Sequence, residues 1–426
     1  MSQIDYEFAR LDHADDSDEG RARSAGWLQG VQYGFHQGRS DDEFARIWRE
    51  HVDADDVVCV GAWLPAGAYG ASPVPVATTA WFDKTLHCGR EQLPLRMITD
   101  VTASPAHRRR GLVRRLMEDC LRDAVDADVP LAALTVSEAT IYGRWGFGIG
   151  TFVRSVVVET TDRFGLRGFT DPGRVEIIDP RDAWDVVRRQ LDLFQERTRG
   201  AVGLPGFYES ILTGRYDQGE KGEDKQLRAA VHLTADEEVD GIALYRVDGR
   251  DDQNWRKIRV VALVGESAEA HLALWQFLAG IDLVRSLHHH AFAPEDPLAW
   301  ALVDINALKV ESDTEFLWIR LLDVPRALAA RSWAGDGEVV LEVDDAQGHA
   351  SGRWHVRVAG GVATTETTKA EPDVRLDAET LATVYLGPVD VVTLHRAGRI
   401  GGTTDGVRRL AALADLPDRP FNMVGF

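Results

Sequence analysis

Apolar positions near the start of the chain recur at helical spacing. Trp27, Leu28, Val31 and Phe35 form one stretch, and Phe44, Ile47 and Trp48 a second, which opens on the capping residues Ser40 and Asp41. Two runs of strand character follow at 57–64 and 74–82, joined by a Gly/Pro/Ala-rich turn. The next pattern is strand LPLRMITDVTA, loop SPAHRRRG, helix LVRRLMEDCLRDAV, strand LAALTVS, short helix ATIYGRWG and strand FVRSVVVET. On that helix Val113, Leu116, Met117, Cys120 and Leu121 share one face. This βαβαβ order predicts an α/β domain ending near residue 160.

After a connector at 163–173 the periodicities begin again. Strand VEII, helix DAWDVVRRQLDLF, a hairpin-like pair (LRAAVHL and GIALYRV), strand KIRVVALV, helix SAEAHLALWQFL and strand LVRSLHHHAF predict a second α/β unit. Its 257–290 portion repeats the layout of 95–137, with GESAEAH where the first copy has SPAHRRRG. From about 307 the character changes to strand EFLWIRLL, helix VPRALAARSW, short strands EVVLEV, WHVRV and VATTETT, and helical stretches at 377–386 and 404–415. The expectation is α/β plus α+β, in domains 1–162, 163–306 and 307–426. Solvated, disordered surface is expected at GEKGEDK (219–225) and at the acidic start of the chain.

Composition narrows the class. Cys59, Cys88 and Cys120 are odd in number, widely spread and free of any CxxC, which points to free thiols in a reducing compartment. No apolar run approaches the ~20 residues of a membrane span. The acidic N-terminus is unlike a secretory leader, so a cytoplasmic location is expected. The net charge of −20 repels nucleic acid and anionic membranes and attracts cations, although it also serves simple solubility. Six lysines among 48 basic residues leave arginine as the main cation.

Chemistry concentrates in HRRRGLVRR (107–115). A glycine turn at a helix N-terminus presents unpaired N–H groups at the positive end of the helix dipole. Arginines there are unfavourable unless an anion joins them, and their forked donors suit phosphate oxygens. Arg108-x-x-Gly111 between a strand ending VTAS and a helix, followed by IYGRWGFG (141–148), resembles the two halves of the signature of GCN5-related N-acetyltransferases (GNAT). The line VTASPAHRRRGLVRRLM…ALTVSEATIYGRWGFG is similar to the enhanced intracellular survival (Eis) acetyltransferases of actinobacteria. Val113 stands where the GNAT motif usually has a small residue.

That resemblance implies tandem acetyltransferase (GNAT) domains followed by a sterol-carrier-like α+β domain. Domain 1–162 would be catalytic, 163–306 a degenerate copy, and 307–426 the domain that ends in the active-site carboxylate. It also implies transfer of acetyl from acetyl-CoA to primary amines of aminoglycosides, polyamines or lysine side chains, with no metal, in a homohexamer. Val101, Thr102 and Ala103 would meet the pantetheine arm and acetyl carbonyl. Arg109, Arg110, Gly111, Leu112, Val113 and Arg114 would hold the pyrophosphate, and Ser137 and Glu138 would line the cofactor cleft. Tyr142 would act as general acid towards the sulfur, and the carboxylate on Phe426 as base and amine anchor. Family members carry an acidic residue just before the terminal phenylalanine, where this chain has Gly425.

Chemistry bounds these roles. A thiol of pKa ~8.5 is a stronger acid than a phenol of ~10, so Tyr142 either has a lowered pKa or chiefly hydrogen-bonds the leaving sulfur. The same ring could simply pack beside Trp145 and Phe147. Asp100 and Trp48 are candidate contacts for the ammonium substrate, and Trp27, Phe35 and Trp81 are further pocket walls or core. The run His288, His289 and His290 lacks acidic or cysteine partners, which argues against a metal site. Two alternatives stay open: an acyltransferase with a different acyl donor, and a lipid or sterol carrier with an inactive acetyltransferase attached. Intact Arg109, Gly111 and Tyr142 speak against the second.

Overall fold

The computed structural model describes residues 4–136, 138–217, 222–250 and 254–426. Its first sheet has seven strands in the spatial order Glu7–Arg10, Val58–Trp63, Ala77–His87, Gln92–Ala103, Leu131–Thr135, Leu317–Leu321 and Gly148–Ile149. The first four are antiparallel, and the crossover helix Leu112–Asp126 makes the pairing to Leu131–Thr135 parallel. That helix buries Leu112, Leu116, Met117, Cys120, Leu121 and Ala124 on one face of the sheet, as its 3–4 spacing requires. Cys59 and Ala80 point to the opposite face, where Trp27 and Val31 of helix Asp18–Gly34 cover them.

Among the described residues the acidic start of the chain, from Ile4 on, forms regular structure, contrary to the sequence expectation. Glu7–Arg10 forms the edge strand against Val58–Trp63, and the first helix begins at Asp18 with Ser17 capping it through Gly20 N. Of the acidic loop, 219–221 lies outside the described residues, and Asp217 bridges to Gly222 around it.

The second sheet also has seven strands: Leu308–Glu315, Phe152–Glu159, Val284–Phe292, Arg256–Gly265, Val239–Arg250, Leu227–Leu233 and Arg174–Ile178. The two sheets trade strands. Phe152–Glu159, read from sequence as the last strand of the first unit, pairs with Val284–Phe292 and Leu308–Glu315. Leu317–Leu321, read as the first strand of the third unit, inserts between Leu131–Thr135 and Gly148–Ile149. The sheets therefore cross the boundaries at 162 and 307. Apolar alternation marks a strand but carries no information about which sheet receives it.

A five-stranded sheet (Val362–Thr367, Gly352–Ala359, Gly337–Asp344, Val374–Asp377, Gly401–Gly402) carries the C-terminal domain, with helices Ala378–Leu386, Val391–Arg396 and Thr404–Ala414. Its apolar side chains Val339, Leu341, Val343, Val356 and Val358 share one core with Leu95, Met97, Leu131, Ala133, Leu317 and Ile319 of the first sheet. Buried arginines fasten this joint. Arg320 pairs with Asp345, Arg331 donates to Val384 O and Ala414 O, and Arg199 to Leu386 O and Asp418 O. A guanidinium tolerates such burial because carboxylate or carbonyl oxygens replace water. No described helix is long and apolar enough to cross a membrane.

Candidate active site

The first sheet opens at its middle. Leu95, Arg96 and Met97 pair with Leu131, Ala132 and Ala133, and beyond them the two parallel strands part. On the outer side the register of Gln92–Ala103 with Ala77–His87 slips between Thr78 and Ala80, a bulge formed by Asp100 (φ +54°) and Val101 opposite Thr79. Thr78 Oγ1 secures it, 2.7 Å from the Asp100 carbonyl and 2.6 Å from Thr102 Oγ1. The bulge interrupts the ladder where Val101, Thr102 and Ala103 border the opening. Gly34, at the end of the first helix, packs so closely on Thr102 that a Cβ there would collide with it.

Arg109 (φ +61°) and Gly111 (φ +79°) turn the chain from this strand into helix Leu112–Asp126. Gly111 occupies the N-cap in the left-handed region, where a side chain would be strained, and no side chain caps the helix. Its first N–H groups are thus open. Arg108, Arg109, Arg110 and Arg114 are exposed and make no ion pair with any described residue. Leu112 and Val113 turn inward to the core, which is where the departure at Val113 from a small residue is accommodated. Unpaired guanidinium groups at an open helix N-terminus fit a pyrophosphate.

The second domain keeps the strand–loop–helix layout and removes this anion site. Ser267 caps helix Ala268–Ala279 through Ala270 N, and Glu266 is held by Gln190 (2.8 Å) and Arg197 (3.6 Å). The positive end of that helix already faces carboxylates and a hydroxyl.

Tyr142 ends the short helix Ala139–Tyr142 and is 5% exposed, with Trp145 and Phe147 at 6.1 and 6.3 Å between ring centroids. Burial, with Glu138 nearby, pushes its phenol up to about 12. Proton transfer to a thiolate of pKa ~8.5 would then be uphill by about 5 kcal/mol at ~1.4 per unit, so the neutral hydroxyl is a hydrogen-bond donor. The glycines of this motif serve another purpose. A Cβ at Gly146 would collide with Arg320, and one at Gly143 or Gly148 with Glu379 of helix Ala378–Leu386. The IYGRWGFG segment is thus also the seat of the C-terminal domain, a role its sequence gives no sign of.

The end of the sequence reaches the same opening. Arg199 O accepts from Phe421 N, Asn422 is fully buried with its Oδ1 accepting from Val202 N, and Tyr208 Oη both accepts from Gly425 N (2.9 Å) and donates to Gly425 O (3.1 Å). Phe426 O then accepts from Thr135 Oγ1 at 2.5 Å, at the end of the splayed strand, and the Phe426 ring lies edge-on to Phe82 at 6.3 Å. Thr135, Tyr208 and Asn422 were not singled out in the sequence, because none matches a local motif and Thr135 and Tyr208 sit far along the chain from the groups they hold.

The remaining sequence candidates separate. Asp100 is partly exposed on the bulge, and loss of water around it pushes its carboxyl up to about 6. Trp48 is half-buried and stacks on fully buried Trp27 at 5.6 Å. Trp81 is core, and Phe35 is exposed. Glu138 is exposed, and Ser137 lies outside the described residues. The histidine run alternates across its strand: His288 contacts Ser286, His289 is buried on Val260 O, and His290 faces Ser155. All three cysteines are buried and free, and burial pushes Cys88 and Cys120 up to about 12.

A parted parallel pair, a bulge, and a glycine–arginine helix start define an acetyltransferase site. Residues 21–150 and 210–321 each match the acetyltransferase (GNAT) domain family, whose members take their acetyl group from acetyl-CoA, and 324–422 match the sterol carrier protein domain family. The chain is 32% identical to an uncharacterized N-acetyltransferase of Streptomyces avermitilis over 97% of its length and 99% of that protein. It is also 32% identical to the N-acetyltransferase Eis of Mycobacterium tuberculosis, over 88% of its length and 91% of that protein. The crystal structure of Eis1 from Mycobacterium abscessus shares the fold, with a TM-score of 0.81 at 24% identity over 99% of this chain and all of that one. A GCN5-related N-acetyltransferase from Kribbella flavida gives 0.72 at 24% identity over the same shares. The chain belongs to the Eis family of N-acetyltransferases.

Proposed function

We propose that this N-acetyltransferase acts on primary amines of small polycationic acceptors, aminoglycosides and polyamines, or of lysine side chains, by direct attack in a ternary complex held by the first domain. The observation that carries this reading is the docking of Phe426 at Thr135, which sets a terminal carboxylate at the opening of the sheet. The hydrogen bond that Phe426 O accepts comes from the neutral Thr135 hydroxyl, which leaves the carboxylate charge for a cationic ligand. Asp100 lies near Cys59, whose thiol is raised by burial and further by this carboxylate. Two carboxylates on the acceptor side, in a chain of net charge −20, favour an acceptor with more than one ammonium group.

Acetyl-CoA, when bound, supplies an acetyl group already activated on a thiolate leaving group. Arg109, Arg110 and Arg114 with the open N–H groups of Leu112 and Val113 hold its pyrophosphate, and the strand segment Val101, Thr102 and Ala103 lines its pantetheine arm. Tyr142 donates a hydrogen bond towards the sulfur. The Phe426 carboxylate and Asp100 attract the ammonium. An ordinary α-carboxylic acid, with pKa ~3.5, is a far stronger acid than an alkylammonium of ~10.4, so the terminal carboxylate takes the proton only as the C–N bond forms and the nitrogen becomes acidic. The apolar face of the sterol-carrier-like sheet is filled by the first sheet, which argues against a lipid-carrier role and for a domain that delivers the chain end to the site.

A thiol-release assay with acetyl-CoA against a panel of aminoglycosides, polyamines and lysine peptides tests the assignment. Polyamines or aminoglycosides should give the highest kcat/KM. A clear preference for neutral or anionic amines would overturn it, and faster turnover with a longer acyl-CoA would move the donor assignment.

A further inference from the structure

The second domain has lost its anion loop but kept an opening in its sheet. Residues 256–260 pair with 284–289, and beyond Val260 and His289 the strands part. A cavity of about 310 Å³ lies there, within the ~300–1,000 Å³ common for small-molecule sites. Phe194 and Phe421 give it aromatic walls, Met423 an apolar one, and Glu295 and Asp296 two carboxylates, while Trp275 beside them is fully buried.

The polar groups around it are only partly used. Asp296 Oδ1 accepts from Leu298 N (2.8 Å) and faces His271 Nε2 (3.1 Å), while Glu295 Oε2 accepts from Arg419 N (3.0 Å). The other oxygen of each carboxylate has no hydrogen bond among the described residues. Arg419, the one guanidinium in the lining, donates Nη1 to Pro388 O at 2.5 Å. Aromatic faces beside free carboxylate oxygens attract a cation with an apolar body, since the ring quadrupole and the charges act in the same sense. A phosphate-bearing ligand meets the Glu295 and Asp296 carboxylates, against Arg419 in the lining and Arg199 close to Glu295.

We propose that this cavity is a second ligand site, selective for an alkyl- or arylammonium ion and separate from the acceptor site of the first domain. Two of its walls, Phe421 and Met423, belong to the segment that ends at Phe426, so an occupant leans on the stretch of chain that carries the terminal carboxylate.

Benzyltrimethylammonium is a suitable probe, because it has no N–H to acetylate. With the full-length protein, calorimetry should show saturable binding, and amide hydrogen exchange should slow at 263–265 and 419–423. Ala291→Phe fills the cavity and should abolish that binding at an unchanged melting temperature. Glu295→Gln keeps the shape, in case the larger substitution prevents folding, and should weaken binding by roughly fivefold. Asp100→Asn should leave it intact. The proposal is overturned if the wild-type protein does not bind the probe, if protection falls at 98–103 and 131–135 instead, or if Glu295→Gln binds as tightly as wild type.

Discussion

At Tyr142 a phenol is enclosed by Trp145, Phe147 and the core of the first domain, and burial holds it near 12. Such a group stays protonated across the physiological range, and in the proposed mechanism it would stabilise a leaving thiolate as a donor without giving up its proton outright. Tyr142→Phe keeps the ring and removes the hydroxyl, so kcat should fall roughly 10²- to 10³-fold with melting temperature and acetyl-CoA affinity unchanged. Normal turnover in that variant would reduce the residue to packing. Asp100 is raised by the same loss of water but titrates nearer to neutral pH. Desolvation raises its pKa to about 6, so its carboxylate charge is present above pH 6 and lost below it. If it attracts the ammonium, a plot of kcat/KM against pH should inflect near 6, superposed on the rise expected as the acceptor amine loses its proton. Asp100→Asn should lack that inflection, and its persistence there would assign it to another group.

Among the elements, the arginine loop and its degenerate copy form an internal control. Arg109→Ala with Arg110→Ala removes two charged donors from an open helix start, at ~1.5–3 kcal/mol each when bonded to phosphate, so KM for acetyl-CoA should rise by roughly 100-fold or more. Ser267→Ala in the second domain removes an N-cap, which should cost roughly 1 kcal/mol of stability and leave that KM alone. A matching rise in KM would place the donor in the wrong domain. The arginine loop was legible because helix, glycine turn and charge all lie within ten residues or so of sequence, and the periods of 3.6 and 2 located most helices and strands. Pairing was not legible. Phe152–Glu159 and Leu317–Leu321 each sit in the sheet of the other half, and the helices read around them stayed correct. Strand Leu308–Glu315, with Lys309, Glu311 and Asp313 along it, lacked the apolar alternation that would have marked it. Gly143, Gly146 and Gly148 read as motif residues, yet what demands them is the approach of Glu379 and Arg320, which lie more than 170 residues later.

At the scale of the whole molecule the C-terminal domain matters through its last residues. Its core is fused with the first sheet, its buried arginines lock the joint, and the segment beyond Asp418 runs past the cavity of the second domain to Thr135. Each step along that path is a named hydrogen bond: Phe421 to Arg199, Asn422 to Val202, Gly425 to Tyr208 and Phe426 to Thr135. The position of Phe426, whose carboxylate the proposed mechanism uses, is therefore fixed by the scaffold and not by the phenyl ring alone. Adding a few residues after Phe426 converts that carboxylate to a neutral amide and moves the new terminus away. Turnover of the best amine should drop strongly, while melting temperature and acetyl-CoA affinity stay close to those of the untagged enzyme. An N-terminal extension of equal size controls for bulk and should do little. Deleting Phe426 is less clean, because Gly425 then carries a carboxylate still held by Tyr208. A C-terminally extended enzyme that acetylates its best amine at the untagged rate would remove the chain end from the mechanism and leave Asp100 as the acid on the acceptor side.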